Sequence, residues 1–210
     1  MMEESEAIER HDIAGETRLI TPEALEGESL QDYLSRNGIE HFTARETLTM
    51  RRAGVVVDPP PREWWPRILP ALRCAEMLRS ICGHPLVIGN GFRPGALNKQ
   101  QKGSSKSQHL YFRALDLDLP SKHSSRAEQE RFYTAAVGLW LTIGHTYRMG
   151  LGLYAPRRGT RVHIDCTAAP LTAAQRAANW RKQHGHHKRR HWGGKKRGRD
   201  YVMEIAEGLR

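Results

Sequence analysis

The order of elements in this 210-residue chain predicts an α+β fold, a small and mostly antiparallel sheet flanked by helices. Three observations carry that prediction. Apolar residues from Trp65 through Ile68, Leu69, Leu72, Ala75 and Leu78 to Ile81 recur at helical spacing. Residues 110–119, LYFRALDLDL, read as an apolar, alternating strand. MGLGLYAP and TRVHIDC alternate again on either side of a turn at Pro156–Gly159, which reads as a hairpin.

Along the chain, residues 1–40 read as an acidic N-terminal extension with short helices. In TPEALEGESLQDYLSRNG, Thr21 is expected to cap a helix, Pro22 takes its first position, and Asn37-Gly38 ends it. A further helix is expected over 42–57, with Thr43 as cap and Glu46 completing a capping box. DPPPREWWP turns into a helix starting near Arg62, with Pro66 tolerated in its first turn and Cys82-Gly83 closing it. The tryptophans there read as core residues. Leu86-Val87-Ile88 is a short buried strand, after which Gly89, Gly91, Pro94 and Gly95 mark a long irregular loop of the kind that often carries function. Ser125 caps the next helix, which turns Phe132, Ala136, Leu139 and Trp140 to the core. The domain proper is expected over 41–175, and residues 176–210 form a basic, His- and Gly-rich tail.

Charge is spread unevenly: residues 1–40 carry a net −8, residues 41–175 a net +10, and the tail a net +8. Body and tail therefore suit a polyanionic partner, whether nucleic acid, anionic cell-wall polymer or an acidic membrane surface. No run reaches the ~18–20 apolar residues of a membrane helix. The acidic start MMEESEAIERHDIAGE lacks the basic and apolar regions of a secretory signal, so synthesis in the cytoplasm is expected. Cys74, Cys82 and Cys166 match neither a disulfide framework nor a zinc knuckle.

The chemistry lies in His and Asp. A hydrolytic zinc site needs about three protein ligands and an open position. Asp116 and Asp118 share one strand face, as do His163 and Asp165, with His109 just ahead of the first pair. Two strands could thus present His and Asp to one point, where a metal would offset the cost of burying carboxylates. The spacing equally allows a hydrogen-bonded core histidine at 163 and a capping or turn acid at 165.

The wider text adds a resemblance. NGFRPGALN and SQHLYFRALD, followed by GLGLYAPRRGTRVHID, resemble the ordered motifs SGYRSxxxN, SxHxxGxAxD and GxGxYxxxxFVHVD of zinc D-Ala-D-Ala peptidases of the M15 type, in their M15_3 (DUF882-like) branch. The likeness covers roughly residues 42–167. It implies a D-Ala-D-Ala metallopeptidase-like fold, with His109, Asp116 and His163 as ligands of one zinc ion and Arg93 near the scissile bond, steadying oxyanion charge. Tyr154 matches the family tyrosine, as a packing residue. Two positions depart from the pattern: Phe112 stands where glycine is usual, and Thr160 where many members carry an acidic base. Asp165 becomes the candidate for base, or for orienting His163. Asp118 reads as a strand-end acid, and the tail histidines at 184, 186, 187 and 191 as part of a solvated arm. The implied function is a zinc peptidase acting on peptidoglycan stem peptides or cross-bridges at the bacterial wall, as a released or virion-associated lysin, with the basic tail contacting anionic polymer. The alternative is a catalytically degenerate relative that binds wall or nucleic acid through its basic surface.

Overall fold

The computed structural model describes residues 27–51, 53–154 and 160–167. Helix α1 (Leu30–Arg36) ends at Asn37 and Gly38 as expected, but it begins at a different cap. Ser29 accepts from the Asp32 backbone N–H while the Asp32 carboxylate takes the N–H of Ser29, a reciprocal pair that satisfies two otherwise orphaned donors. Thr21 lies outside the described residues. Leu30, Tyr33 and Leu34 place α1, within the segment read as an extension, in the same hydrophobic core as the rest of the fold. Glu28 ties it down by pairing with both Arg36 and Arg62.

The Thr43–Glu46 capping box is present, yet helix α2 (Ala44–Leu48) is one short turn rather than a helix to residue 57. The chain runs straight into β1 (Thr49–Met50) and returns as β2 (Val55–Val56). Three consecutive β-branched valines, Val55 to Val57, favour that extended return over a helix. Next, Arg62–Arg67 form a 3₁₀ turn around Pro66, and helix α3 (Leu69–Cys82) begins only after Ile68. Pro70 explains the late start, since its missing N–H is harmless only in a helix's first turn. Gly83, left-handed at φ +70°, closes α3 where the sequence indicated.

The main sheet consists of β3 (Val87–Asn90), β4 (Ala114–Asp118), β5 (Met149–Tyr154) and β6 (Arg161–Cys166), in the order β3-β4-β6-β5 with every neighbour antiparallel. Strand β4 is shorter than the expected 110–119, because Gln108–Tyr111 form a 3₁₀ turn and Phe112 adopts a left-handed backbone. The loop expected after Ile88 is partly ordered: β3 continues to Asn90 through a bulge, and Gly95–Gln100 form a short helix, α4. Helix α5 (Arg126–Ile143) carries the anticipated Ser125 cap and buries Phe132, Ala136, Leu139 and Trp140. Cys74 and Cys166 are buried, and none of the three cysteines forms a disulfide. Among the described residues no helix is long and apolar enough to cross a membrane.

Strand alternation gives this sheet two unlike faces. Ile88, Leu115, Leu117, Leu151, Leu153, Val162 and Ile164 are all fully buried and share one face, against which α3 and α5 pack. The other face carries Asn90, Asp116, Asp118, Tyr154, Arg161, His163 and Asp165. The apolar face holds the sheet on its helices; the polar face is what the fold is left to use.

Candidate metal centre

Register sets the polar face out in rows. Asn90, Asp116, His163 and Gly152 stand opposite one another across the four strands. On one side of that row lies Asp118–Arg161–Tyr154, and on the other Ala114–Asp165–Gly150. His109 joins from the 3₁₀ turn before β4.

His109, Asp116 and His163 are buried, and each offers one ligand atom such that all three atoms lie within 4.8 Å of one another. His163 Nδ1 is 2.8 Å from Asp116 Oδ1 and 3.3 Å from His109 Nε2, which is itself 3.4 Å from Asp116 Oδ1. These three side chains, separated by up to 54 positions in sequence, are the three the motifs single out as ligands.

The donor set fits a divalent cation, and the test is the state of the rings. His109 Nδ1 lies 2.7 Å from the Gly91 carbonyl, which can only accept, so Nδ1 carries the proton and Nε2 turns a lone pair into the cluster. His163 faces the cluster with Nδ1, and on the far side of its ring Nε2 lies 3.5 Å from Asp165 Oδ2. Burial alone would raise the Asp116 carboxyl, but His109 and His163 outweigh it and hold the acid well below the usual range. Burial likewise lowers the His163 imidazole, and the hydrogen bonds and charges of Asp116 and Asp165 outweigh that and raise it. A negative oxygen and two imidazole nitrogens therefore meet in a site with almost no solvent.

Asp165 is 1% exposed and sits on β6 directly opposite Gly150. A Cβ on residue 150 would fall 2.3 Å from Asp165 Oδ2, so the glycine leaves the room the carboxylate occupies. Arg93 borders the centre, and its backbone N–H reaches the His109 carbonyl at 3.1 Å. Its guanidinium donates to Ser107 Oγ at 3.1 Å and makes a long contact with Gln101 at 3.4 Å, and its Nε has no hydrogen-bond partner among the described residues. Burial lowers that guanidinium while the nearby Asp116 charge raises it, which places Arg93 in the field of the cluster. Tyr154 is half-buried, and burial followed by the charge of Asp116 pushes its phenol up. Asp118 is locked at 2.8 and 2.7 Å by Arg161. Thr160 is buried, with no hydrogen-bond partner for its hydroxyl among the described residues. Phe112 is wholly buried, its ring edge-on to Phe92 at 5.7 Å, and so lies in the core. The tail histidines lie outside the described residues.

Two residues of this face carry no role in the sequence reading. Asn90 donates to Asp116 Oδ2 at 2.9 Å, and Arg161 approaches the same oxygen at 3.7 Å. Arg161 was accessible by alternation, two positions before His163. Asn90 was hidden by the bulge, which breaks the period just before it.

A family model for Peptidase M15 matches residues 35–146, more than half of the chain. No curated protein matches it. The matched stretch holds Arg93, His109 and Asp116, and the antiparallel partner of β4 brings His163 to them, so the chain belongs to the Peptidase M15 family of metallopeptidases.

Proposed function

We propose that this protein is a zinc-dependent peptidoglycan peptidase that hydrolyses a peptide bond in stem peptides or their cross-bridges at the bacterial cell wall. The observation that carries the reading is the convergence of His109, Asp116 and His163 ligand atoms within 4.8 Å, buried on the polar face of the sheet. One zinc ion held there would supply Lewis acidity toward the scissile carbonyl and an ionised water near neutral pH. Arg93, with donor capacity left open, binds the substrate carbonyl or carboxylate oxygen and steadies the charge that develops on it. Asp165 Oδ2, 3.5 Å behind the ring at Nε2, favours the proton on that nitrogen and so leaves Nδ1 unprotonated toward the metal, an orienting part. Tyr154, its phenol held protonated, lines the rim as a neutral donor. The basic surface, with the tail, keeps the enzyme on anionic wall polymer, a contact that weakens with salt.

The test is metal content together with digestion. Purified protein is expected to hold one zinc per chain and to release D-Ala or new free amino groups from peptidoglycan, read by mass spectrometry. Both activities should vanish under chelator. His109→Ala is expected to lose more zinc affinity than the ~10–100-fold that removal of an outer partner brings. Intact folding with no bound zinc would sink the reading. Two observations favour a second reading, a degenerate relative that only binds wall or nucleic acid: on the polar face Asp118 is locked by Arg161, and Thr160 brings no carboxylate to serve as base. Zinc bound without any released peptide would select it.

A further inference from the structure

We infer that Asn90 is a positioning residue for the metal centre: its side-chain amide holds the outer oxygen of Asp116, so that the carboxylate offers a bound divalent cation one oxygen only. The inference rests on the metal-site reading above and adds to it a device that limits how Asp116 ligates.

The two oxygens of Asp116 are divided between different neighbours. Oδ1 faces the imidazoles, at 2.8 Å from His163 Nδ1 and 3.4 Å from His109 Nε2. Oδ2 faces away from them, accepting from Asn90 Nδ2 at 2.9 Å with the Arg161 guanidinium 3.7 Å off. A carboxylate oxygen can only accept, so the Asn90 amide must present its nitrogen there. Asn90 is 4% exposed, and its own Oδ1 has no hydrogen-bond partner among the described residues. The amide orientation is thus imposed by Asp116 and not by the satisfaction of Asn90 itself. Buried acceptors are rarely left open.

The backbone is built to deliver this contact. Ile88 pairs with Leu117 on the apolar face, and a regular ladder would then set residue 89 opposite Asp116. The bulge inserts one residue and puts Asn90 there instead, as bulges beside sites re-aim side chains. Residue 89 must then be small, because a Cβ on it would lie 2.4 Å from Asp118 Oδ2 and 2.6 Å from Arg161. Gly89 and Asn90 therefore act as one unit, the first clearing space for the Asp118–Arg161 pair and the second engaging Asp116. An oxygen already engaged by an N–H and a nearby guanidinium is a poor metal ligand. Ligation falls to Oδ1, and the low coordination number keeps a position open for water or substrate.

The test compares wild type, Asn90→Leu and Asn90→Ala in the full chain. Zinc affinity is read by chelator competition, and coordination number by the visible absorption of the cobalt-substituted protein. Melting of the metal-free variants checks the fold, and Asn90→Ala carries the comparison if the leucine variant does not fold. Loss of the amide is expected to weaken zinc binding ~10–100-fold. It should also dim the cobalt d–d bands, as Oδ2 joins the metal and raises the coordination number. A folded variant with wild-type affinity and an unchanged cobalt spectrum overturns the inference. Failure of the wild type to bind either metal overturns the zinc reading itself, and this inference with it.

Discussion

Phe112 sits at φ +55° and ψ +46°, a left-handed backbone that costs a residue with a Cβ roughly 1–2 kcal/mol. That explains why the M15 signature usually keeps glycine at this place: the turn that follows the His109 segment and enters β4 calls for positive φ. This chain keeps the turn and offsets the strain by burying the ring completely against Phe92. The sequence exposed the departure but not its resolution, because nothing local says whether the ring points to the cleft or to the core. Phe112→Gly is expected to relieve the backbone and empty the ring's site at once. Deleting a buried aromatic costs ~3–5 kcal/mol, so the net is a loss of about 2 kcal/mol, read by denaturant unfolding. Zinc affinity should stay near wild type. A variant as stable as the parent would show that the ring contributes little packing.

The strands were legible because period-two alternation survives in ALDLD, MGLGLY and RVHID. Which residues face one another across the strands was not legible, since register is fixed between segments distant in the chain and one bulge shifts it. Helix caps read well where the signal is local, as at Thr43 and Ser125, and helix lengths read poorly where valines or a second proline redirect the chain. The pairing of β5 with β6 gives the sharpest consequence. Gly150 admits the Asp165 carboxylate, which backs His163. Gly150→Ala must displace Asp165, and Asp165→Asn alters the acceptor that fixes the His163 ring. Both are expected to weaken zinc binding ~10–100-fold. Were Asp165 instead the general base, Asp165→Asn would leave zinc affinity intact and cut turnover alone by ~10²–10⁴. Chelator competition beside steady-state kinetics separates the two.

Across the whole molecule, the centre joins a turn residue to two strands of one sheet, with His109 and His163 54 positions apart. Metal binding should therefore stabilise the entire fold, by ~4 kcal/mol when free zinc stands at a thousand times its dissociation constant. Protons compete for the same atoms, and the signs follow from the two shifts. Asp116 is depressed below its ordinary 3.8, so its contribution to the metal-free protein is present above that value and is lost as pH falls through its folded pKa. His163 is raised above its ordinary 6.5, so its contribution is complete below that value and is lost as pH rises through its folded pKa. The metal-free protein is thus best served by this pair in mildly acidic solution. Zinc needs the His163 nitrogen without its proton, and binding releases that proton. The gap in melting temperature between zinc-loaded and chelated protein is expected to widen steadily from about pH 5.5 to about pH 8, across the range where histidine titrates. Thermal melts at fixed free zinc measure it. A gap that stays constant over that range, or narrows as pH rises, would mean that zinc is not held through His163.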